Sequence, residues 1–267
     1  MVNKMKNFIT TNHRGGLGNV IFKLAASISM AIDNNVDYIF SKEFIRPIDP
    51  NYENYANNIL RNINFIDKLP ESFSVYTERQ FNHQNINYIK GTNLLLDGYF
   101  QSEKYFINNK QTILDIFKPT DEIKNEILKN LPEIRNYTSI HIRRGDYLKY
   151  PNKHPQQTEE YYKEATEIIG RDNTFLIFSD DLDGVKNMFD YLPNKIFYTS
   201  GKDWLDLYTM SLCKNNIICN STFSWWGAYL NQNIEKKIIT TNRWFGPGNA
   251  HLNTSTLCPS EWIILNK

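Results

Sequence analysis

A chain of 267 residues, 41% hydrophobic and 22% charged, carries enough apolar material for one large packed core or two small ones. Its formal net charge of +1, with no basic stripe, excludes a composition-level drive toward DNA, RNA or an anionic membrane. No run approaches the roughly 18 apolar residues of a membrane span, and the opening MVNKMKNFITTNHRGG has no apolar h-region, so neither a span nor a secretory signal is expected and the expected location is the cytoplasm.

In chain order, residues 8–11 read as a strand, HRGGLGN as a glycine turn, VIFKLAASISMAI as a helix and VDYIFS as a second strand. Strand, turn, helix, strand is a βαβ unit and predicts a parallel sheet. NYENYANNILRNINFIDKLP is rich in Asn and Tyr, with only a weak amphipathic pattern. DGYFQSEKYFINNKQTILDIF predicts a turn and then a helix ending at Pro119, and DEIKNEILKNL a short helix stopped by Pro132.

A second α/β series starts at Tyr137. YTSIHI is a strand, and TEEYYKEATEIIG a helix with Thr158 at its start and Gly170 at its end. There follow the strand NTFLIFSDD, the helix LDGVKNMFDYL, the strand KIFYTS, the helix WLDLYTMSLCK, the strand NNIICN and the helix STFSWWGAYLN. KKIITTN is the last clear strand. The break at residues 130–136 divides the chain into two α/β halves, 1–134 and 135–267. Cys213, Cys219 and Cys258 show no CxxC or Cys/His spacing and are expected to be buried free thiols.

Four motifs carry chemistry. In GGLGN, Gly15, Gly16 and Gly18 sit where strand passes into helix, a place where backbone amides and the helix dipole meet phosphate. The glycines equally suit a bare turn. A dinucleotide fingerprint needs a third glycine where Ile21 stands, and its acid is at best the off-position Glu43, so NAD is not expected. In HIRRGDY, alternation puts His141 and Arg143 on one strand face, with Ile140 and Ile142 toward the core. Ligands of parallel α/β sheets sit beyond the strand C-termini, and an arginine there offers a planar fork matched to phosphate. The opposing reading is an Arg144–Asp146 pair that ties down a loop.

SDD ends the next strand on the same edge. Its carboxylates, Asp180 and Asp181, suit ribose hydroxyls or the N–H groups of guanine, and one of them suits a helix N-cap. Asp181-Leu-Asp183 also spells the D-x-D of metal-dependent sugar transferases, but two neighbouring arginines already neutralise an anion, so no metal is expected. In NSTFSWWG, Asn220, Ser221 and Thr222 crowd a helix N-terminus with hydroxyls and free amides, suited to phosphate or to simple capping. Trp225 and Trp226 are expected in the core or its wall.

HIRRGDY, FSDD and DLYTMSLCKNNIICNSTFSWWGAYLN, with GGLGN and DGYFQSEKYF upstream, resemble the inverting α-1,2-fucosyltransferases of glycosyltransferase family 11 over most of the chain. The resemblance implies a GT-B-like α/β fold: two Rossmann-like domains with parallel sheets facing a cleft, residues 1–134 on the acceptor side and 135–267 binding GDP-fucose. It implies that Arg143 meets the donor pyrophosphate, and that His141 and the SDD acids lie near guanosine. Ser221, Thr222, Phe223 and Ser224 would line the phosphate site, with Arg144, Asp146 and Asn220 beside it. Gly16, Gly18 and Asn19 would reach across from the first half. The expected partners are GDP-fucose as donor substrate and a galactose-terminated glycan as acceptor, with no separate cofactor. The family usually reads GGLGNQ-x-F; here Val20 replaces the glutamine and Lys23 follows Phe22. A tryptophan common after FSDD is absent, with Gly184 nearby.

The expected reaction is attack by a galactoside 2-hydroxyl on the donor sugar, Arg143 stabilising the leaving diphosphate. His13, Asn19, Asp97 and His154 are candidates to take or orient the proton. Two rival readings are a nucleotide-binding Rossmann-like protein without transferase activity, and a carbohydrate-binding module using Trp244 and Phe245.

Overall fold

Strands covered on both faces read as continuous rather than alternating apolar runs. Phe8–Thr11 and Thr138–Ile142 are covered in this way, buried at every position, although threonine, serine and histidine stand among their apolar residues; Ser74–Thr77, at a sheet edge, is mostly exposed. The computed structural model describes residues 7–44, 52–70 and 72–266; the first six residues, read above as lacking an h-region, lie outside the described residues. The chain forms two compact units, Met1–Lys118 with Asn253–Pro259 and Pro119–Leu252 with Ser260–Lys267.

That boundary differs from the expected 134/135 break. Pro119 interrupts the chain between two helices, because proline offers no N–H to continue one. Thr120 then caps the next helix, its hydroxyl accepting from Ile123 N at 3.3 Å. The helix after Pro119 therefore folds with the second unit.

The first unit contains β1 (Phe8–Thr11), α1 (Leu17–Asp33), β2 (Asp37–Tyr38), β3 (Phe40–Ser41), α2 (Tyr52–Asn57), β4 (Phe65–Ile66), β5 (Ser74–Thr77), β6 (Leu94–Asp97) and α3 (Lys110–Phe117). Its main sheet is parallel in the order β2-β1-β6-β5. VDYIFS is not one strand but two: Asp37–Tyr38 pairs with β1, and Phe40–Ser41 leaves it to pair with β4. The three leucines of β6 are buried between β1 and β5. This strand carries no sequence signal, since a three-residue apolar run has no period to detect.

The second unit contains α4 (Asp121–Asn130), β7 (Thr138–Ile142), α5 (Glu159–Ile169), β8 (Phe175–Ser179), β9 (Lys195–Phe197), α6 (Asp203–Leu212), β10 (Asn215–Ile217), α7 (Thr222–Tyr229), β11 (Ile238–Thr241) and β12 (Ile263–Leu265). All its strands are parallel, in the order β12-β11-β10-β7-β8-β9. Ile140, Ile142, Tyr161, Phe175, Ile177, Ile217 and Ile239 form the core beside this sheet. LDGVKNMFDYL forms a 3₁₀ run, Asp183–Phe189, rather than the expected α-helix. β12 extends the sheet past KKIITTN.

From β7 the chain steps outward through β8 and β9, then returns to lay β10 on the other side of β7 and continues to β12. Strand order reverses between β7 and β10, the point where doubly wound sheets open a crevice beyond the strand C-termini. In the first unit the reversal falls between β1 and β6.

Candidate active site

Three neighbouring strands, β10, β7 and β8, deliver their C-terminal loops to the reversal in the second unit. The β7 loop brings Arg143, Arg144 and Asp146; the β8 loop brings Asp180 and Asp181. The pairing differs from the Arg144–Asp146 bridge of the opposing reading. Arg143 holds Asp146, with Nε and Nη2 each 2.9 Å from Oδ1, and its Nη1 lies 3.2 Å from Asp180 Oδ2. Arg144 pairs with Asp181 through Nε at 2.8 Å and donates from Nη1 to Gln156 Oε1 at 3.1 Å. Both arginines lie beyond Ile142, the last residue of β7, and diverge within the loop.

Asp180 also accepts from the Arg144 backbone N–H at 2.8 Å, and Asp181 from the Gly184 N–H at 3.0 Å. Both oxygens of each carboxylate thus already have a donor within the chain. Each acid thus sets an arginine, and its partly exposed oxygens keep acceptor capacity beyond these bonds. Gly145 is part of that design, because a Cβ there would lie 2.5 Å from Asp180 Oδ2. Burial works against the Arg143 charge, but Asp180 and Asp146 outweigh it and hold its pKa above the ordinary value. The Arg144 hydrogen bond and the Gly184 N–H hold the Asp181 carboxyl below its usual range.

His141 does not share an open face with Arg143. Its ring is buried, with Nδ1 3.2 Å from Cys219 Sγ and its plane tilted against Phe223 at 5.3 Å. Burial, then the Arg143 charge, lowers its pKa to about 3, while burial pushes the Cys219 thiol up to about 12. The two form a neutral pair beneath the arginine loop. The Asn220 side chain is engaged within the fold: its Nδ2 donates to Pro155 O and Trp244 O, both at 3.0 Å, and its Oδ1 accepts from Gln157 at 2.8 Å.

Ser221 is the N-cap residue of α7 but makes no side-chain cap bond, and no acid occupies the first turn. The N-terminal amides of α7, with Ser221 and the partly exposed Thr222 and Phe223, therefore remain an anion-suited end. Ser224 turns inward and donates to Ser221 O at 3.2 Å.

Tyr147, not singled out from sequence, joins the two loops. Its hydroxyl donates to Asn220 O at 2.7 Å, Arg143 lies over its ring at 6.0 Å, and His154 stacks on it at 5.0 Å. Its place inside HIRRGDY was the available signal. Gln156 and Gln157, which carried none, pin the same loops, Gln156 at Arg144 and Gln157 at Asn220. Burial lowers the His154 pKa, partly opposed by Asp146. Asp183, the second acid of D-x-D, pairs with Lys186 at 2.5 Å, and no group of three or more His, Cys, Asp or Glu gathers as a metal site among the described residues. Trp244 is buried, so the Trp244–Phe245 sugar platform of the rival reading is not an exposed cluster.

In the first unit, Gly15 adopts φ +109°, a left-handed turn that requires glycine. Gly16 caps α1 without side-chain help and Gly18 is buried inside the helix. Asn19 Oδ1 accepts from Gln101 at 2.8 Å, which leaves its amide as a donor. His13 is buried edge-on against Phe40 and Phe65 at 5.5 and 5.6 Å, and burial, then Lys23, lowers its pKa to about 3. Such a ring is a weak proton acceptor, against its expected candidacy. Asp97 ends β6, with Oδ1 held by Asn12 Nδ2 at 2.5 Å. Lys23 is buried and donates to Asn12 Oδ1 and Arg14 O, both at 2.9 Å; burial lowers its pKa to about 8, partly opposed by Asp97.

Comparison with known proteins adds a likeness over the whole length. The O-antigen biosynthesis glycosyltransferase WbnK of Escherichia coli is 35% identical over 185 residues, spanning 64% of this chain and 60% of that protein. An α-1,2-colitosyltransferase of Escherichia coli is 28% identical over 284 residues, spanning 95% of this chain and 97% of its own. The α-1,6-fucosyltransferase NodZ, in a crystal soaked with GDP-fucose, superposes with a TM-score of 0.56 at 13% identity, covering 89% of this chain and 96% of that one. That likeness shows the fold, two α/β parallel-sheet units of the GT-B class. Residues 2–265 match the profile of Glycosyl transferase family 11, and the chain belongs to that family.

Proposed function

We propose that the protein transfers L-fucose from GDP-fucose to the 2-hydroxyl of a terminal galactoside, with inversion to an α-1,2 linkage. The observation that carries this reading is the delivery of Arg143 and Arg144 by HIRRGDY to the point where strand order reverses. As the C1–O bond to GDP breaks, negative charge builds on the diphosphate. Arg143, set by Asp180 and half open to solvent, is the group to stabilise it. Its present partner Asp146 is 56% exposed, and such a surface pair is worth only about 0–1 kcal/mol, so a diphosphate can take its place on the fork. The free amides at the α7 N-terminus supply further donors. Asn19, as an amide donor, suits orienting the acceptor hydroxyl rather than taking its proton. The free thiols fit a reducing, cytoplasmic setting.

The test is purified protein with GDP-fucose and lactose, following GDP release and the fucosylated product. Turnover that needs lactose supports the proposal. GDP binding without turnover would favour a nucleotide-binding protein, and lactose binding without GDP binding a carbohydrate-binding module. One observation favours a second donor: the relative that spans 95% of this chain is a colitosyltransferase. GDP-colitose in the same assay separates the two, since faster turnover with it would make colitose the transferred sugar.

A further inference from the structure

The first unit has its own strand-order reversal, between β1 and β6, and polar groups converge there. Asn12 follows β1 and binds Asp97 at the end of β6 at 2.5 Å; buried Lys23 holds Asn12 from α1. Glu78 follows β5, and its carboxylate accepts from Tyr99 N at 2.7 Å and from Phe100 N at 3.1 Å. These bonds hold the Asp97–Gly98–Tyr99–Phe100 turn in a costly shape, since Phe100 has φ +52°. A bulky residue in the left-handed region is an outlier that persists only where its surroundings over-determine it, and such strain gathers at functional sites. Phe100 is fully buried, edge-on to Tyr105 at 5.3 Å, which anchors the turn.

The consequence is Tyr99. With its successor locked in the core, it projects outward, 50% exposed, with Lys23 Nζ 5.1 Å from its ring centroid. Beside it stands Asp97, whose Oδ1 is occupied by Asn12. Lys23 and Arg14 are balanced by Asp97 and Glu78, so the cluster has no excess charge to recruit an anion. A half-exposed ring beside fixed, charge-balanced hydrogen-bonding groups suits a neutral polyhydroxylated ligand: the ring covers a C–H face while the carboxylate accepts a hydroxyl.

We propose that the Asp97–Tyr99 turn is a saccharide subsite that binds the acceptor sugar, with Tyr99 as its platform, Asp97 as its hydroxyl acceptor and Glu78 as a positioning residue. As an assignment to the acceptor it rests on the transferase reading; as a sugar-binding site it stands on this geometry. The experiment uses the full chain with lactose as probe. Binding is followed by ligand-observed NMR, lactose KM by turnover, and GDP affinity by calorimetry, for wild type, Tyr99→Ala, Tyr99→Phe and Asp97→Asn.

The expected result is lactose binding by wild type and Tyr99→Phe. Tyr99→Ala and Asp97→Asn should weaken it about tenfold or more, with GDP affinity unchanged and melting temperatures near wild type. Lactose affinity and KM unmoved by Tyr99→Ala would overturn the subsite, as would a wild type that turns over GDP-fucose but never engages lactose. Lactose binding that depends on Tyr99 in a protein that never consumes GDP-fucose would instead keep the subsite and discard the transferase reading.

Discussion

Arg143 and Arg144 are adjacent in the chain but are held differently, and the difference predicts how each responds to mutation. Arg143 makes partly exposed pairs with Asp146 and Asp180, which contribute little to stability. Arg143→Ala should therefore leave the melting temperature nearly unchanged while lowering kcat by about 10²–10³, the usual loss for a preorganised transition-state donor. Arg143→Lys keeps the charge but not the planar fork and should recover only part of that loss. Near-normal turnover in Arg143→Ala would shift the clamp to Arg144. The buried histidines carry a different prediction. His141 and His13 have folded pKa values of about 3 against 6.5 for free histidine. As pH falls from 6.5 toward 3, the unfolded chain takes up protons that the folded chain refuses, so stability is lost across that window. Each pKa unit corresponds to about 1.4 kcal/mol. Urea unfolding at several pH values should show His141→Gln with a flatter acid limb than wild type; equal slopes would mean that His141 titrates normally in the fold.

At the scale of elements, what matters is which loops are tied and by what. The β10–α7 loop is latched by Asn220, whose amide satisfies Pro155 O, Trp244 O and Gln157. Asn220→Ala strands buried polar groups and should cost about 2–3 kcal/mol in urea unfolding. Ser221→Ala, one residue later, removes no cap bond and should stay within about 0.5 kcal/mol of wild type. Thr158 is the contrasting case: its hydroxyl accepts from Tyr161 N at 3.2 Å, so Thr158→Ala should cost about 1 kcal/mol without changing GDP affinity. If Ser221→Ala proved as damaging as Asn220→Ala, the α7 N-terminus would be held by that hydroxyl and not free for an anion.

For the molecule as a whole, each unit is a parallel sheet with its own reversal of strand order, and both reversals gather polar side chains from distant parts of the chain. A ligand bound only to the folded state stabilises it by mass action, by about 2.7 kcal/mol at one hundred times its Kd. GDP should therefore raise the melting temperature of the wild type and much less that of Arg143→Ala. Because arginine side chains stand at the second unit's reversal, both this protection and transfer should persist in excess EDTA. Loss on chelation, restored by Mn²⁺, would move the charge-stabilising role to a metal.

Local chemistry was legible in the sequence wherever local rules govern it. Short runs rich in apolar and β-branched residues marked β1, β7, β8 and β10, Thr158 and Gly170 bounded α5, and the motif HIRRGDY put arginines at a strand end, because periodicity, capping and turn chemistry act over a few residues. Pairing was not legible. That Asp146 holds Arg143 and Asp181 holds Arg144, that Asn220 latches loops, and that His141 lies against Cys219 depend on contacts between segments far apart in the chain. The same holds for β6, too short to show a period yet central to its sheet, and for the unit boundary at Pro119. Sequence determined which groups arrive at the strand ends. Tertiary structure decided which of them are already satisfied there and which stay open to a ligand, since buried hydrogen-bonding groups must find partners wherever the fold supplies them.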